Sequence, residues 1–287
     1  MIRNSPYRNM SLIEINKLLP KDSKLKIIKY IDSKNCLVKC SCGKQYNHKD
    51  GISRLIHRRP KMCYDCGRKH VKKSDMRILL EDSGISYYIT GVILADGAVN
   101  SEQIAIGLQA KDKKWIDKIA SYLCCNVHQH TRKKPACDII PKEIIENTVR
   151  IAFGDKKLLP KFIKKFGITV PKTYNEINIS KYKHIDDEML ICLLIGIIDG
   201  DGCIRKNKHC KSILISQHIS QNKFHQYLSK RLNKIISIVS NIRHYKGSKN
   251  PMSYMFINKS SSIKLMNYIS KYNLPVLERK WKNLEVK

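Results

Sequence analysis

The sequence predicts a duplicated α+β fold of order αββαββα, preceded by a small zinc-binding domain. Three observations lead to this prediction. A short apolar helix that ends in Asp-Gly occurs twice, at residues 88–97 and 194–202. Alternating strands and amphipathic helices follow each copy in the same order. Two closely spaced cysteine pairs precede both copies, in a stretch too small to bury a sizeable core of its own.

The composition indicates a polyanionic partner. The chain of 287 residues carries 55 Lys and Arg against 24 Asp and Glu, a net charge of +31 spread over its length. Each basic side chain that neutralises a phosphate releases a condensed counterion, so nucleic acid fits this charge best. The longest apolar run, residues 189–198, is too short to span a bilayer, and the first residues show no apolar signal stretch. We therefore expect an intracellular protein that binds nucleic acid and no membrane.

The N-terminal cysteines predict a structural zinc site. Cys40 and Cys42 form one pair, Cys63 and Cys66 form another, and a glycine follows each pair. Four thiolates can surround one tetrahedral Zn²⁺, and without an export signal these cysteines should be reduced. The first pair has a shorter spacing than zinc ribbons usually have, so four other side chains stay open as ligands: Cys36, His48, His57 and His70. Free thiols without a metal are the alternative interpretation.

Residues 1–68 are predicted to form a zinc-ribbon-like DNA-binding module. Arg54, Arg58 and Arg59 lie between the cysteine pairs and should face phosphates. Residues 69–83 are rich in Lys and Arg, and we expect a basic linker that follows the DNA backbone.

The two apolar helices predict a packed pair with acids at one end. In each copy small residues recur four apart on one face, Gly91 with Ala95 and Gly196 with Gly200. Such stripes let two helix backbones approach closely. Each helix ends in an aspartate, Asp96 or Asp201, where the helix dipole disfavours a carboxylate by about 0.3 to 1 kcal/mol. Cations between the two acids would offset this cost and their mutual repulsion, as in a metal-dependent phosphodiesterase. Core helices with ordinary Asp-Gly ends are the alternative.

The segments after the two motifs repeat as well. A strand at residues 103–109 and a helix after Asp112 follow the first motif, whereas a hairpin and a helix after Asn222 follow the second. A further strand pair and helix are predicted in each half. We therefore predict two copies of one unit, at residues 84–175 and 176–287.

These motifs resemble the LAGLIDADG homing endonucleases of the single-chain, two-motif type. The motif LIGIIDGDG follows the family pattern closely, and YITGVILADG departs from it at Leu94, where the family often has an acid. In the family the acid before the final glycine binds the metal, which implies Asp96 and Asp201 here. The resemblance implies two antiparallel β-saddles along the DNA major groove and Mg²⁺. It further implies a monomer that makes double-strand breaks in a long asymmetric DNA target and serves intron mobility.

The resemblance also implies further site residues. Gln221 in the second repeat resembles the family's site glutamine, with Gln109 as its counterpart in the first, and Lys172 and Lys280 resemble its lysine near the phosphate. Side chains of the strands would read base edges. The candidates are Gln103, His128, His130, Arg132, Arg205, Lys211, Gln217, Arg243 and His244, together with Gln109.

Two alternatives keep the same fold. An RNA maturase that assists splicing would bind intron RNA through the same basic surface, and a DNA-binding regulator would have lost catalysis. Retention of both acids, Asp96 and Asp201, favours cleavage over the silent regulator. A dual role with intron RNA stays open.

Overall fold

The computed structural model divides the chain into two compact units, residues 1–72 and 73–287. It describes residues 7, 10–19, 21, 23–32, 35–49, 52, 55, 56, 63, 66, 74–134, 144–172, 174–207, 210–243, 251–282 and 284. Among these, the side chains of 132–134, 144, 145, 205–207, 210, 211 and 243 are not described. No helix within the described ranges is long and apolar enough to cross a membrane.

The smaller unit combines a short helix with an antiparallel sheet. Helix α1 spans Leu12–Lys17, and the sheet has the order β1–β2–β3, with strands Leu25–Tyr30, Cys36–Cys40 and Gln45–His48. The hydroxyl of Ser11 caps the N-terminus of α1 in a capping box. A small apolar core joins the helix to the sheet: Ile15, Leu19, Leu25, Ile27, Val38, Ile52 and Leu55.

The larger unit contains the two predicted repeats. Its α-helices are α2 (Gly84–Asp96), α3 (Lys113–Tyr122), α4 (Leu158–Lys165), α5 (Asp187–Asp201), α6 (Asn222–Leu232), α7 (Lys259–Lys271) and α8 (Glu278–Trp281). Its strands are β4 (Gly97–Val99), β5 (Ile104–Gln109), β6 (Val127–Lys134), β7 (Ile144–Phe153), β8 (Gly202–Asn207), β9 (Cys210–His218), β10 (Ile238–Arg243) and β11 (Met252–Ile257).

The two repeats have the same sheet topology. The strands form two antiparallel sheets of order β4–β5–β7–β6 and β8–β9–β11–β10. Their registers also match, because Gly97 pairs with Ile106 in the first sheet and Gly202 pairs with Ile215 in the second. The predicted duplicated α+β fold with two antiparallel sheets is therefore confirmed.

The motif helices α2 and α5 lie at the centre of the core. Both are apolar around most of their circumference, which is typical of a helix buried on all sides. Side chains of Ser83 and Asp186 cap their N-termini, and each helix passes directly into the first strand of its sheet. One continuous apolar core includes residues of both repeats. This arrangement brings the C-terminal ends of the two motif helices into the same region.

The predicted linker differs from the structure. Residues 74–83 belong to the larger unit, where Arg77–Leu80 forms a 3-10 helix and Met76 and Leu79 are fully buried in the core. The basic residues of this segment suggested a solvated connector, but its apolar side chains are buried in the core. Residues 69–73 lie outside the described part of the chain, so the other predicted domain boundaries stay predictions.

Candidate active site

The two motif helices cross at a pair of glycines. A Cβ atom on Gly91 would lie 2.0 Å from the carbonyl oxygen of Leu193 and 3.0 Å from the Cα atom of Gly196. A Cβ atom on Gly196 would lie 2.0 Å from the carbonyl oxygen of Tyr88. No side chain fits in either place, so the predicted packing of the small-residue stripes against each other is confirmed.

The aspartates at the two helix ends line one cavity of about 420 Å³. Burial, followed by the negative charge of Asp201, raises the pKa of Asp96 to about 6. Burial likewise raises the pKa of Asp201, although a hydrogen bond from Gln217 opposes that rise. Both shifts mean that the cavity disfavours two carboxylates without additional positive charge. A divalent cation would supply that charge.

Two lysines cap the motif helices in the same way. Lys172 Nζ donates to the carbonyl oxygens of residues 93, 94 and 95 at 2.9, 2.7 and 2.9 Å. Lys280 Nζ donates to those of residues 198, 199 and 200 at 3.0, 2.6 and 2.8 Å. Burial lowers the pKa of Lys172 to about 8 and also lowers the pKa of Lys280, while the aspartates oppose both shifts. All three donors of each ammonium bind helix carbonyls, so neither lysine uses a lone pair of the Asp96 or Asp201 carboxylate.

The predicted glutamines occupy different surroundings. Gln221 is buried, lines the cavity of the two aspartates, and donates from Nε2 to the carbonyl oxygen of Asn175 at 3.0 Å. Asp112, rather than Gln109, is its counterpart in the first repeat, since both immediately precede the helix after the second strand. The Arg279 guanidinium binds the Asp112 carboxylate through two hydrogen bonds of 2.6 and 2.8 Å.

The remaining acid of the second motif, Asp199, does not face the cavity. It is 1% exposed and accepts hydrogen bonds from the Tyr88 hydroxyl at 2.6 Å, the Trp281 indole at 2.6 Å and the Leu277 backbone N–H at 3.0 Å. Burial raises the pKa of Asp199 to about 6, although these donors oppose the rise. Asp199 thus anchors the segment that carries Lys280. The sequence did not predict this function of Asp199, because its only signal is an acid in the second motif at the position of Leu94.

Polar and basic side chains line the outer face of the first sheet. Alternate residues of a strand point to opposite faces, and the register places Gln109, His128 and His130 on the outer face. Arg150 joins them there, although the sequence analysis did not single it out, and all four are exposed or half-buried. Gln103 directly precedes β5 and is half-buried. A polyanion can reach this exposed face.

Other predicted DNA contacts are placed elsewhere or are not described. Gln217 lies on the inner face of the second sheet, where its Nε2 donates to Asp201 Oδ2 at 2.7 Å, so it does not point outward to read a base. The strands include the backbones of four candidates whose side chains are not described: Arg132, Arg205, Lys211 and Arg243. Four further candidates lie outside the described residues: Arg54, Arg58, Arg59 and His244.

The four predicted cysteines of the smaller unit come together. The Sγ atoms of Cys40, Cys42, Cys63 and Cys66 all lie within 4.8 Å of one another. The 40–66 and 42–63 sulfur pairs are 3.9 and 3.6 Å apart, close to the edge of about 3.8 Å of a zinc–sulfur tetrahedron. Gly43, with a φ angle of +88°, makes the turn after the first pair. Hydrogen bonds, first from the backbone N–H of Cys42, lower the pKa of the Cys40 thiol to about 6.

Two of the four substitute zinc ligands are described, and neither belongs to this cysteine cluster. Cys36 and His48 are in β2 and β3, and neither is among the four residues that gather. Burial raises the pKa of Cys36 to about 11, which favours a neutral thiol. His57 and His70 lie outside the described residues.

The fold and this site define a two-repeat protein whose halves meet through paired helices with acidic ends. Residues 194–283, most of the second repeat, match the sequence model of the LAGLIDADG endonuclease family. No curated protein matches the chain. The structure of the homing endonuclease I-WcaI bound to its DNA recognition sequence is similar, with a TM-score of 0.50 and 14% identity over 72% of this chain and 88% of that one. The resemblance to this family that the two motifs predicted is thereby confirmed, by the sequence match in the second repeat and by the shared fold.

Two other solved structures have lower similarity. I-AabMI bound to uncleaved DNA has a TM-score of 0.41 and 15% identity, and the matched region covers 69% of this chain and 87% of the I-AabMI chain. I-DmoI in complex with its target DNA in the presence of 2 mM Mn has a TM-score of 0.42 and 15% identity, and covers 68% of this chain and 98% of its own.

Proposed function

We propose that the chain is a site-specific endonuclease that makes double-strand breaks in DNA and depends on a divalent metal. One observation carries this proposal: Asp96 and Asp201, at the ends of two crossing helices, share one cavity and both have raised pKa values. Two carboxylates without a paired cation are expensive to bury. Such a pair is therefore suited to hold cations against the phosphates of a polyanion.

The donor set fits Mg²⁺. Carboxylate oxygens are the ligands that Mg²⁺ prefers, and Asp96 and Asp201 would hold it. The bound cation would lower the pKa of a bound water and stabilise the charge that develops on the leaving oxygen. Lys172 and Lys280 contribute through their positive charges, which favour the ionised form of both aspartates. Gln221 lines the same cavity and would orient water or phosphate.

Double-stranded DNA is the proposed partner. The net charge of +31 and the outer face of the first sheet, with His128, His130 and Arg150, supply phosphate and base contacts. The similar I-WcaI is bound to its DNA recognition sequence. The two repeats of this chain carry different side chains at equivalent positions, so a single chain would recognise a long asymmetric target as a monomer.

A structural Zn²⁺ is proposed for the smaller unit. The sulfurs of Cys40, Cys42, Cys63 and Cys66 lie close enough together to surround one tetrahedral ion. The apolar core of this unit is small, so a bound metal would add stability that burial alone does not supply.

The proposed function can be tested on a library of DNA targets. Wild-type protein is incubated with a library of randomised DNA and with the uninterrupted insertion locus, in Mg²⁺ and in EDTA, and the new DNA ends are sequenced. We expect ends on both strands at one long asymmetric site, in Mg²⁺ only. Tight, salt-sensitive binding without new ends would contradict the nuclease and would favour a maturase or a silent regulator.

A further inference from the structure

A chain of hydrogen bonds leads from Asp201 into the core of the second repeat. The Nε2 atom of Gln217 donates to Asp201 Oδ2 at 2.7 Å, and Gln217 Oε1 lies 2.8 Å from His225 Nε2. The other ring nitrogen, Nδ1, lies 2.7 Å from Ser253 Oγ. Both His225 and Ser253 are 0% exposed. An acid of the candidate site is thus connected to a fully buried imidazole through one amide.

The equivalent positions of the first repeat, which all belong to the described residues, form no such chain. Because Gly97–Ile106 and Gly202–Ile215 are equivalent pairs, Leu108 occupies the position of Gln217. Its strand partner Val149 corresponds to Ser253, the partner of Gln217.

The helix position is apolar in the first repeat as well. Ile116 and His225 are each the fourth residue of the helix that follows the second strand. Three apolar residues of the first repeat therefore occupy the positions that three polar residues occupy in the second. The fold tolerates either set, so packing alone does not require the polar one.

The direction of the hydrogen bonds follows from Asp201. A carboxylate only accepts, so Gln217 must turn its NH₂ group toward Asp201 and its carbonyl toward His225. The Nε2 atom of His225 must then carry the proton, and Nδ1 accepts from the Ser253 hydroxyl. In the opposite tautomer Ser253 would donate to Asn222 Oδ1, 3.2 Å away, but the Gln217 carbonyl would face an unprotonated ring nitrogen. Burial lowers the pKa of His225 to about 4, which keeps the ring neutral.

We propose that His225 is a positioning residue that fixes the Gln217 amide and, through it, the Asp201 carboxylate, and that it makes the two halves of the site unequal. This proposal rests on the proposed nuclease function. The Gln217 amide holds the Asp201 carboxylate, and His225 fixes the orientation of that amide. In the first repeat, Leu108 occupies the position of Gln217. The two strands of a target should therefore be cut at different rates, and the difference should depend on this chain of hydrogen bonds.

The test replaces the polar set with that of the first repeat. The triple variant Gln217→Leu, His225→Ile, Ser253→Val removes the three polar side chains together, so none of the three is left buried without the others, and it should fold. Both strands of the selected target carry different labels, and single-turnover rates are measured for each. We expect the ratio of the two strand-cleavage rates to change by about 10-fold from its wild-type value. This is in the range known for residues that hydrogen-bond to metal ligands.

Three further variants, His225→Gln, His225→Ile and Ser262→Ala, separate positioning from stability. His225→Gln keeps a donor close to the position of Nε2, so its strand ratio should be nearer to the wild type than that of His225→Ile. Ser262→Ala removes a buried hydroxyl of the same repeat that bonds the carbonyl oxygen of Asn258 instead, and should leave the ratio unchanged. A triple variant that cuts both strands in the wild-type ratio would overturn the proposal.

Nuclear magnetic resonance gives a readout that needs no cleavage. The ¹⁵N shifts of the His225 ring in the free protein should show a neutral ring with its proton on Nε2. A proton on Nδ1 would overturn the positioning role even if DNA is cut. A wild-type chain that cuts no DNA while His225 has the expected tautomer would instead contradict the nuclease function, and with it the strand inequality.

Discussion

Gly91 and Gly196 lie opposite each other where the two motif helices cross, and each occupies the space that a side chain of the other would need. This contact joins the two repeats into one core and brings Asp96 and Asp201 to the same cavity. The site is therefore only as stable as the crossing of these helices.

Substitution of Gly91 by alanine should disrupt the larger unit. The new Cβ atom would lie 2.0 Å from a backbone carbonyl oxygen, and neither helix can move without opening the core. We expect a loss of at least about 3 kcal/mol in the free energy of unfolding, measured in urea. Gly107→Ala is the matched control, because its Cβ atom meets nothing within 4 Å. Equal stability of Gly91→Ala and Gly107→Ala would contradict the helix crossing.

Neutralisation of Asp96 should stabilise the protein at alkaline pH. Its pKa in the folded protein, about 6, lies above that of an unfolded aspartate, so ionisation costs stability above pH 6 and nothing below about pH 4. Asp96→Asn should therefore raise the free energy of unfolding at pH 8 by on the order of 1–3 kcal/mol, and should have little effect at pH 4. Asp117→Asn, which removes a surface pair with Lys113, should change it by less than about 1 kcal/mol. A destabilised Asp96→Asn at pH 8 would contradict this electrostatic account.

Mg²⁺ should raise the Tm of the free protein in a pH-dependent manner. A ligand at 100 times its Kd stabilises the folded state by about 2.7 kcal/mol. The effect should decline as pH falls through about 6, because Asp96 then takes up a proton and loses its charge. Thermal unfolding with and without Mg²⁺ from pH 5 to 8 measures this dependence. The Asp201→Asn variant should lack most of the Mg²⁺ effect, and an unchanged response in that variant would place the cation elsewhere.

The smaller unit should contain one Zn²⁺ per chain. Cys63→Ser removes a member of the cysteine cluster, and we expect it to lose the metal and the folded structure of this unit. Elemental analysis and the visible spectrum of the Co²⁺-substituted protein measure the metal and its sulfur ligands. Cys36→Ala is the control, since this cysteine is buried in the same unit but lies outside the cluster. Full metal content in Cys63→Ser would disprove the four-cysteine site.

Replacement of Asp199 by leucine should loosen the C-terminal segment. Trp281 and the Leu277 N–H would lose their acceptor in the core, and the Tyr88 hydroxyl would keep only the carbonyl oxygen of Pro275, at a cost of about 3 kcal/mol. Asp199→Asn keeps one acceptor oxygen and should cost less. The chain has two tryptophans, and both Trp115 and Trp281 belong to this network, so tryptophan fluorescence reports it directly. An unchanged emission spectrum and stability in Asp199→Leu would contradict the anchoring function.

The sequence predicted those features that depend on local patterns. The small-residue stripes that include Gly91 and Gly196 and the acids that end both helices repeat at fixed spacing, so they could be identified without coordinates. The cysteine cluster was predictable for the same reason, because ligand pairs and the glycine of a turn are adjacent in the chain. The order of strands and helices followed from periodicity and from the second copy of the same order.

Features that depend on distant contacts were not predictable. Tyr88 and Asp199 are 111 residues apart in the chain, and no local signal pairs them. Gln217 was expected to face DNA, but the strand register turns it inward to Asp201. Met76 was assigned to a linker because the surrounding basic residues indicated a solvated segment, whereas its apolar side chain is buried in the core.

The most direct test of the nuclease function separates binding from cutting on the selected DNA target. Wild type, Asp96→Asn and Asp201→Asn are compared for affinity in Ca²⁺ and for cleavage of each strand in Mg²⁺. We predict affinities within a few-fold of one another and double-strand cleavage by the wild type alone. Cleavage by either variant at the wild-type rate would contradict the claim that these two aspartates hold the catalytic metal.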